Sequence, residues 1–269
     1  MILASVASAS AFTTTLTLAV AVGYLVPAVA SGRSDKVARL VVLLAWLLHA
    51  LLLATGLAGE TPRFGFAPAL SVTVWLVTAV YAVESQFYPQ LQVRWAMCAI
   101  GSAAVILAQL FPGAPVLASA SVWLPLHWAL GFGAYGLFGA AVAHAWFLGR
   151  AEDRIRMAAD PHSGLPLLTI ERLTFRFVAA GFVLLTATLA VAFVFSESLY
   201  GRGAAWRWDH KTVFSILSWI TFATLLLGRA RFGWRGRRAA RMLYTGSGLL
   251  FLAYVGSRFV LEVILGRVP

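Results

Sequence analysis

Cysteine is almost missing from this 269-residue chain, where Cys98 stands alone. A single cysteine excludes an internal disulfide framework and any cysteine-based metal site within one chain. Acidic residues are scarce as well. There are ten Asp and Glu, and charged residues of both signs make up 12% of the chain, against about 25% in a soluble domain. That deficit excludes a soluble globular domain. The chain also lacks a phosphate-binding glycine loop, a hydrolytic triad and a metal-ligand cluster, so the ordinary enzyme classes have no chemistry to draw on. No repeat of fixed period is present. The longest polar segment, 150–176, carries the turn signal ADPHSGLP and is too short to form a domain.

What the sequence has is apolar surface: 61% hydrophobic residues and a mean hydropathy of +0.84. Apolar runs recur at lengths near the ~20 residues that cross a bilayer. The spacing predicts an all-α polytopic membrane protein with eight spans, at roughly 10–30, 40–58, 67–84, 95–111, 122–149, 177–199, 212–228 and 242–265. One membrane domain over residues 1–269 is expected. No basic segment precedes the first apolar run, so that run is expected to be a retained helix. The formal charge of +11 does not point to nucleic acid, because its arginines cluster between spans as topology signals do. Of the 21 Lys and Arg, fifteen fall in the segments 33–39, 94, 150–176 and 229–241. Five fall in the opposite set, at Arg63, Arg202, Arg207, Lys211 and Arg267, and Arg258 lies inside the last span. The positive-inside rule puts the set of fifteen in the cytoplasm. Both termini then face outward, and so does the segment 206–211.

That segment reads WRWDHK. Trp206 and Trp208 fit an interfacial aromatic belt, and Asp209 fits an N-cap for the helix that follows. The density of the segment also fits a binding surface. Two flat indoles, an acceptor and an imidazole within five residues can stack on a planar ring and hold its polar edge, and His210 is a potential axial iron ligand.

The Trp-x-Trp-Asp signature ahead of an apolar helix resembles the tryptophan-rich haem-handling motif of the cytochrome c assembly family (CcsA/HemX-like). The likeness extends through WDHKTVFSILSWITFATLLLGR to YVGSRFVLEVIL, and takes in LHWALGFGAYGLFGAAVAHAWFL at 126–148. It covers about residues 40–266 and is nearest to compact eight-helix members of the bacterial inner (plasma) membrane. The resemblance implies a protein that presents or exports haem (haem b) at the outer membrane face, held over Trp206, Trp208 and Asp209 and flanked by His127 from the outer end of the fifth helix. It implies as partners an apocytochrome c, a second cytochrome c maturation protein and the lipid bilayer. The chain's own role is at most that of a component of the haem-attachment system.

The chain departs from the family pattern in three places. GRGAAWRWD is shortened ahead of the motif, His210 stands where the family has proline, and LLLGRAR and VLEVILGRVP carry none of the later histidines. His210 is therefore the expected substitute ligand. These losses favour an alternative, a regulatory or structural membrane protein that kept the fold without the attachment chemistry. A small-solute transporter ranks last, because no pair of interrupted helices is evident.

Three polar positions within the spans complete the candidate set. His49 in the second span and His144 in the fifth are ionisable groups at membrane depth, which mark either function or an interhelical hydrogen bond. As metal ligands, His49 is preferred to His144, since the family often carries a histidine in this helix. Arg258 is expected either to pair with Glu262 four residues on or to meet a haem propionate, because guanidinium matches carboxylates as a fork. Gly131, Gly133, Gly136 and Gly139 are expected to serve close helix packing.

Overall fold

The computed structural model describes residues 2–29, 35–58, 63–87, 94–115, 121, 123–156, 167–200 and 208–266. Trp206 and His162 lie outside these residues. The elements are α1 (Ile2–Val29), α2 (Asp35–Ala58), β1 (Arg63–Phe64), α3 (Phe66–Phe87), α4 (Arg94–Leu110), β2 (Ala114–Pro115), α5 (Trp123–Arg156), α6 (Leu167–Val194), α7 (Ser196–Tyr200), α8 (His210–Phe232) and α9 (Gly236–Phe251). From α9 the chain winds on through Leu252–Gly256, Ser257–Phe259 and Val260–Ile264, and Gly236–Ile264 counts as one helix of 29 residues.

This is an all-α membrane protein. Each of the eight expected spans coincides with a helix, and among the described residues six helices are long and apolar enough to cross a membrane. The apolar stretches of α1 and α4 are shorter, Ala11–Pro27 and Ala96–Leu110. Several helices outrun their apolar cores. α2 starts at Asp35, α5 runs to Arg156 and α6 starts at Leu167, so the polar segment 150–176 is helical at both ends. Arginine and glutamate are good helix formers, and intrahelical bonding does not stop where hydrocarbon does.

The chain divides into two compact units, residues 1–118 with 261–269, and residues 119–260. In the first, Val20 and Tyr24 of α1 pack with Ala45 of α2 and with Cys98 and Val105 of α4. The fit depends on small residues: a Cβ on Gly101 would stand 3.2 Å from the Tyr24 ring. Gln109 ties α4 to α1, its amide donating to Thr14 and its carbonyl accepting from Thr17. β1 and β2 pair over two residues, Arg63 with Pro115 and Phe64 with Ala114. Gly113, just before β2, takes φ +79° and comes so close to β1 that a Cβ would lie 2.5 Å from the Phe64 carbonyl carbon; only glycine meets both demands.

α2 and α3 are joined by a reciprocal pair. Trp46 and Trp75 stack at 4.7 Å with planes 7° apart, and each indole N–H donates to the other's backbone carbonyl at 3.1 Å. Trp46→Phe removes one of these bonds and shrinks the stack, an expected cost of about 1 kcal/mol. The exciton couplet of the pair in near-ultraviolet circular dichroism should vanish in the variant while the helical signal stays.

In the second unit, α5, α6, α8 and the last helix run alternately up and down. Trp123 stacks on Phe195 at 3.7 Å, and further along Phe138 meets Gly181. Trp219 of α8 lies beside Phe182 and donates to Thr186 of α6. Ser218 of α8 donates to the Gly246 carbonyl at 2.8 Å. Phe138 and Phe222 stack at 3.8 Å in the middle of the unit. The expected packing role of the glycines is visible at two of them: Gly131 faces the Thr188 methyl and Gly133 faces Leu184, whose Cδ1 a Cβ would meet at 2.8 Å.

Candidate functional site

Asp209 starts the site. It takes extended backbone angles and its carboxylate accepts from the Thr212 amide at 2.9 Å, so the N-cap expectation holds. Satisfying an orphan amide fixes where α8 begins. Trp208 and His210 on either side are exposed, Trp208 at 73%. Burial tends to raise the Asp209 carboxyl, but the Thr212 amide and hydroxyl and the nearby Lys211 and His210 outweigh it, so it titrates below the usual aspartate value. A lowered folded pKa gives stability above the unfolded value, about 3.9, that fades as pH falls through the folded one. Asp209→Ala should cost about 1 kcal/mol and abolish this acid-side dependence, as thermal unfolding followed between pH 3 and 6 would record.

His127 lies one turn into α5. Ser121 caps that helix, its Oγ accepting from the Trp123 amide at 3.4 Å, and Pro125 falls in the first turn, where its missing N–H costs nothing. The backbone of Thr188 on α6 lies within hydrogen-bonding reach of the His127 ring, and the ring's Nδ1 is buried with no hydrogen-bond partner among the described residues. A backbone acceptor at one ring nitrogen fixes the proton there and leaves the lone pair on the other, the arrangement that supports metal-ligating histidines.

Helix register aligns these groups. On α5 and the last helix, the Tyr135 hydroxyl donates to the Leu250 carbonyl. His127 and Arg258 each lie eight residues beyond that bond toward the same end, about 12 Å at 1.5 Å per residue. On α8 and the last helix, Ser218 bonds to Gly246, which brings 208–210 to the same level. Trp208, Asp209, His210, His127 and Arg258 therefore share one end of the second unit. Arg258 faces the Tyr254 ring at 5.7 Å, and Glu262 lies against Gly65 in the first unit, where a Cβ would meet its carboxylate at 2.7 Å.

His144 and His49 have other surroundings. His144 is seventeen residues along α5 from His127, ~26 Å, buried beside Phe177 at 5.4 Å; the two cannot share an iron. His49 belongs to the first unit and is fully buried. Its Nδ1 is 3.3 Å from the Tyr24 hydroxyl and its Nε2 is 2.8 Å from Ser71 Oγ. Ligation by His49 requires one of these bonds to open. Among the described residues no group of three His, Cys, Asp or Glu forms a metal site. The partners Thr188, Tyr135, Tyr24 and Ser71 carry no signal in a single sequence.

The last helix departs from α geometry near this end. π turns occupy Leu252–Gly256 and Val260–Ile264. A switch from α to π bonding leaves backbone groups in search of partners, and the Tyr135 hydroxyl serves the Leu250 carbonyl just before the first one.

The family model "Cytochrome C assembly protein" matches residues 16–265. A 28.8 kDa protein of Azospirillum brasilense, from the nifR3-like 5' region, is 38% identical over 165 residues, 60% of each chain. The inner membrane protein YpjD of Escherichia coli is 38% identical over 99 residues, 37% of this chain and 36% of its own. A cytochrome c biogenesis protein CcsA of Prochlorococcus marinus is 25% identical over 207 residues, 72% of this chain and 62% of its own. The chain thus spans less than two thirds of the length of these relatives. No solved structure matches.

Proposed function

The chain belongs to the cytochrome c assembly protein family, and on that basis we propose that it serves cytochrome c biogenesis as a haem-handling protein of the bacterial inner membrane, with haem as cargo. The observation that carries this reading is the sharing, at one end of one helical unit, of an exposed indole, a histidine whose Nδ1 is buried without a partner among the described residues, and an arginine. The name of the Escherichia coli relative supports the location, and that of the Prochlorococcus relative supports the pathway.

In this proposal Trp208, with Trp206, forms the shelf on which the macrocycle stacks. His127 would offer the iron a nitrogen, oriented from behind by the Thr188 backbone. His210, exposed on the first turn of α8, would offer a second in place of the histidines the chain lacks. Arg258 takes a propionate. Asp209 sets the start of α8 and so the position of Trp208 and His210. Haem brings the iron and the vinyl groups on which attachment to an apocytochrome depends; the protein holds, orients and exposes it. With the arginine-rich loops in the cytoplasm, this end faces outward. His49 and His144 lie outside the proposed site.

A second reading rests on the missing later histidines: the chain regulates or supports neighbouring membrane proteins without presenting haem. Deleting the gene distinguishes the two. Loss of haem-stained c-type cytochromes from membranes is the expected result, whereas normal c-type cytochromes beside another membrane defect would overturn the first reading in favour of the second.

A further inference from the structure

At the opposite, arginine-rich end of the second unit, α5, α6, α8 and α9 line an open cavity of about 360 Å³, within the range of small-ligand pockets. Its floor is apolar, with Phe175, Val178, Leu225 and Leu243, and its rim carries Arg150, Arg237 and Arg241. Three carboxylates, Glu152, Asp153 and Glu171, also line it. Glu171 is held by Arg229 at 2.8 Å and Arg235 at 3.6 Å, and Asp153 by Arg237 at 3.5 Å. Arg150, laid over the Trp146 ring at 4.4 Å, and Arg241 then exceed the one remaining acid, Glu152. The last helix also begins here. Gly236 turns at φ +57° and the N-cap Arg235 makes no side-chain capping bond, so first-turn amides and the positive end of the helix dipole add to the rim.

From this geometry we infer a binding site for an anionic phospholipid of the bilayer, with an acyl chain on the apolar floor between α5, α6 and α9 and the phosphate held by Arg150 and Arg241. Basic rims over apolar interhelical clefts at the end of membrane spans match anionic lipids in both parts of the molecule, and guanidinium matches the phosphate as a fork. Arg238 reinforces this end from outside the cavity: it lies over the Trp234 ring at 3.9 Å, and that ring fills the space above Gly228, fixing the turn from α8 into α9.

The test is native mass spectrometry of the full-length protein from micelles supplied with equal phosphatidylglycerol and phosphatidylcholine. One retained phosphatidylglycerol per chain is expected. Arg150→Gln with Arg241→Gln should lower its retention by roughly 10-fold to 30-fold, and Ala240→Trp, which fills the cavity, should abolish it. Glycerol 3-phosphate, the headgroup anion without chains, should leave the melting temperature unchanged. Equal retention of phosphatidylcholine by the unaltered protein overturns the inference with no variant needed. So does full retention in the double variant, or binding of glycerol 3-phosphate as tight as that of the lipid. The haem reading fails or stands separately, on the Soret band at His127.

Discussion

Replacing His127 with alanine is expected to lower the haem retained by the purified protein at least ~10-fold, since disturbing even the groups behind a metal-bound histidine costs 10–100-fold in affinity. The reason lies in the arrangement of one ring. α5 is started by Ser121 and admits Pro125 in its first turn, which places His127 where the backbone of Thr188 on α6 can orient it. Nδ1 is then buried and without a hydrogen-bond partner among the described residues. A buried nitrogen left unpaired is costly, and an iron would satisfy it. Added imidazole should restore the Soret band of His127→Ala, because it refills a ligand position without mending any packing. His144→Gln, ~26 Å further along the helix, should leave the band unchanged. A His127→Ala protein with full haem content would remove His127 from the account.

The second large effect concerns the packing that holds this end together. Phe138 of α5 and Phe222 of α8 stack at 3.8 Å with planes 3° apart, both almost wholly buried. Gly181 of α6 closes one side of the stack and Gly246 of α9 the other. A Cβ at these positions would come to 3.1 Å and 2.9 Å of the rings. One column therefore joins four helices, and the groups at the Trp208 end hang from their registers. Phe222→Ala should destabilise the unit by about 3–5 kcal/mol, the range for removing a buried aromatic. Gly246→Val should be at least as harmful, since its branched side chain has no space without moving α8 or the last helix. Unfolding in mixed detergent, followed by circular dichroism, measures both, and the Soret band should weaken with them although neither residue approaches the proposed haem shelf. Variants as stable as the unaltered protein would show that the column is not what fixes the helices.

The helices were legible in the sequence because the bilayer imposes a length on them. Runs of apolar residues between basic segments located all eight helices, and helix propensity explains why Arg156 is helical beyond those runs. The Asp209 cap was legible too, since an acidic residue ahead of a helix-forming run has few other uses. What holds the histidines was not. The partners of His49, Tyr24 and Ser71, are 25 and 22 residues away, and no local pattern links them. The winding of the last helix was equally hidden. A spacing of four between Arg258 and Glu262 presumes an α-helix, yet π turns enter at Leu252 and Val260, and the Leu250 carbonyl is bonded by a tyrosine hydroxyl 115 residues away in sequence. Of the segment that first drew notice, Trp208, Asp209 and His210 now have positions, while Trp206 lies outside the described residues.

The central claim is that haem sits at the end of the second unit marked by Trp208, His127 and Arg258. Its most direct measurement is the reduced-minus-oxidised absorption spectrum of the intact protein, purified in mild detergent from haem-replete cells. The account predicts a Soret band with resolved α and β bands, and one such haem lost on replacing His127 with alanine. A pure, folded preparation without any haem absorbance would contradict it.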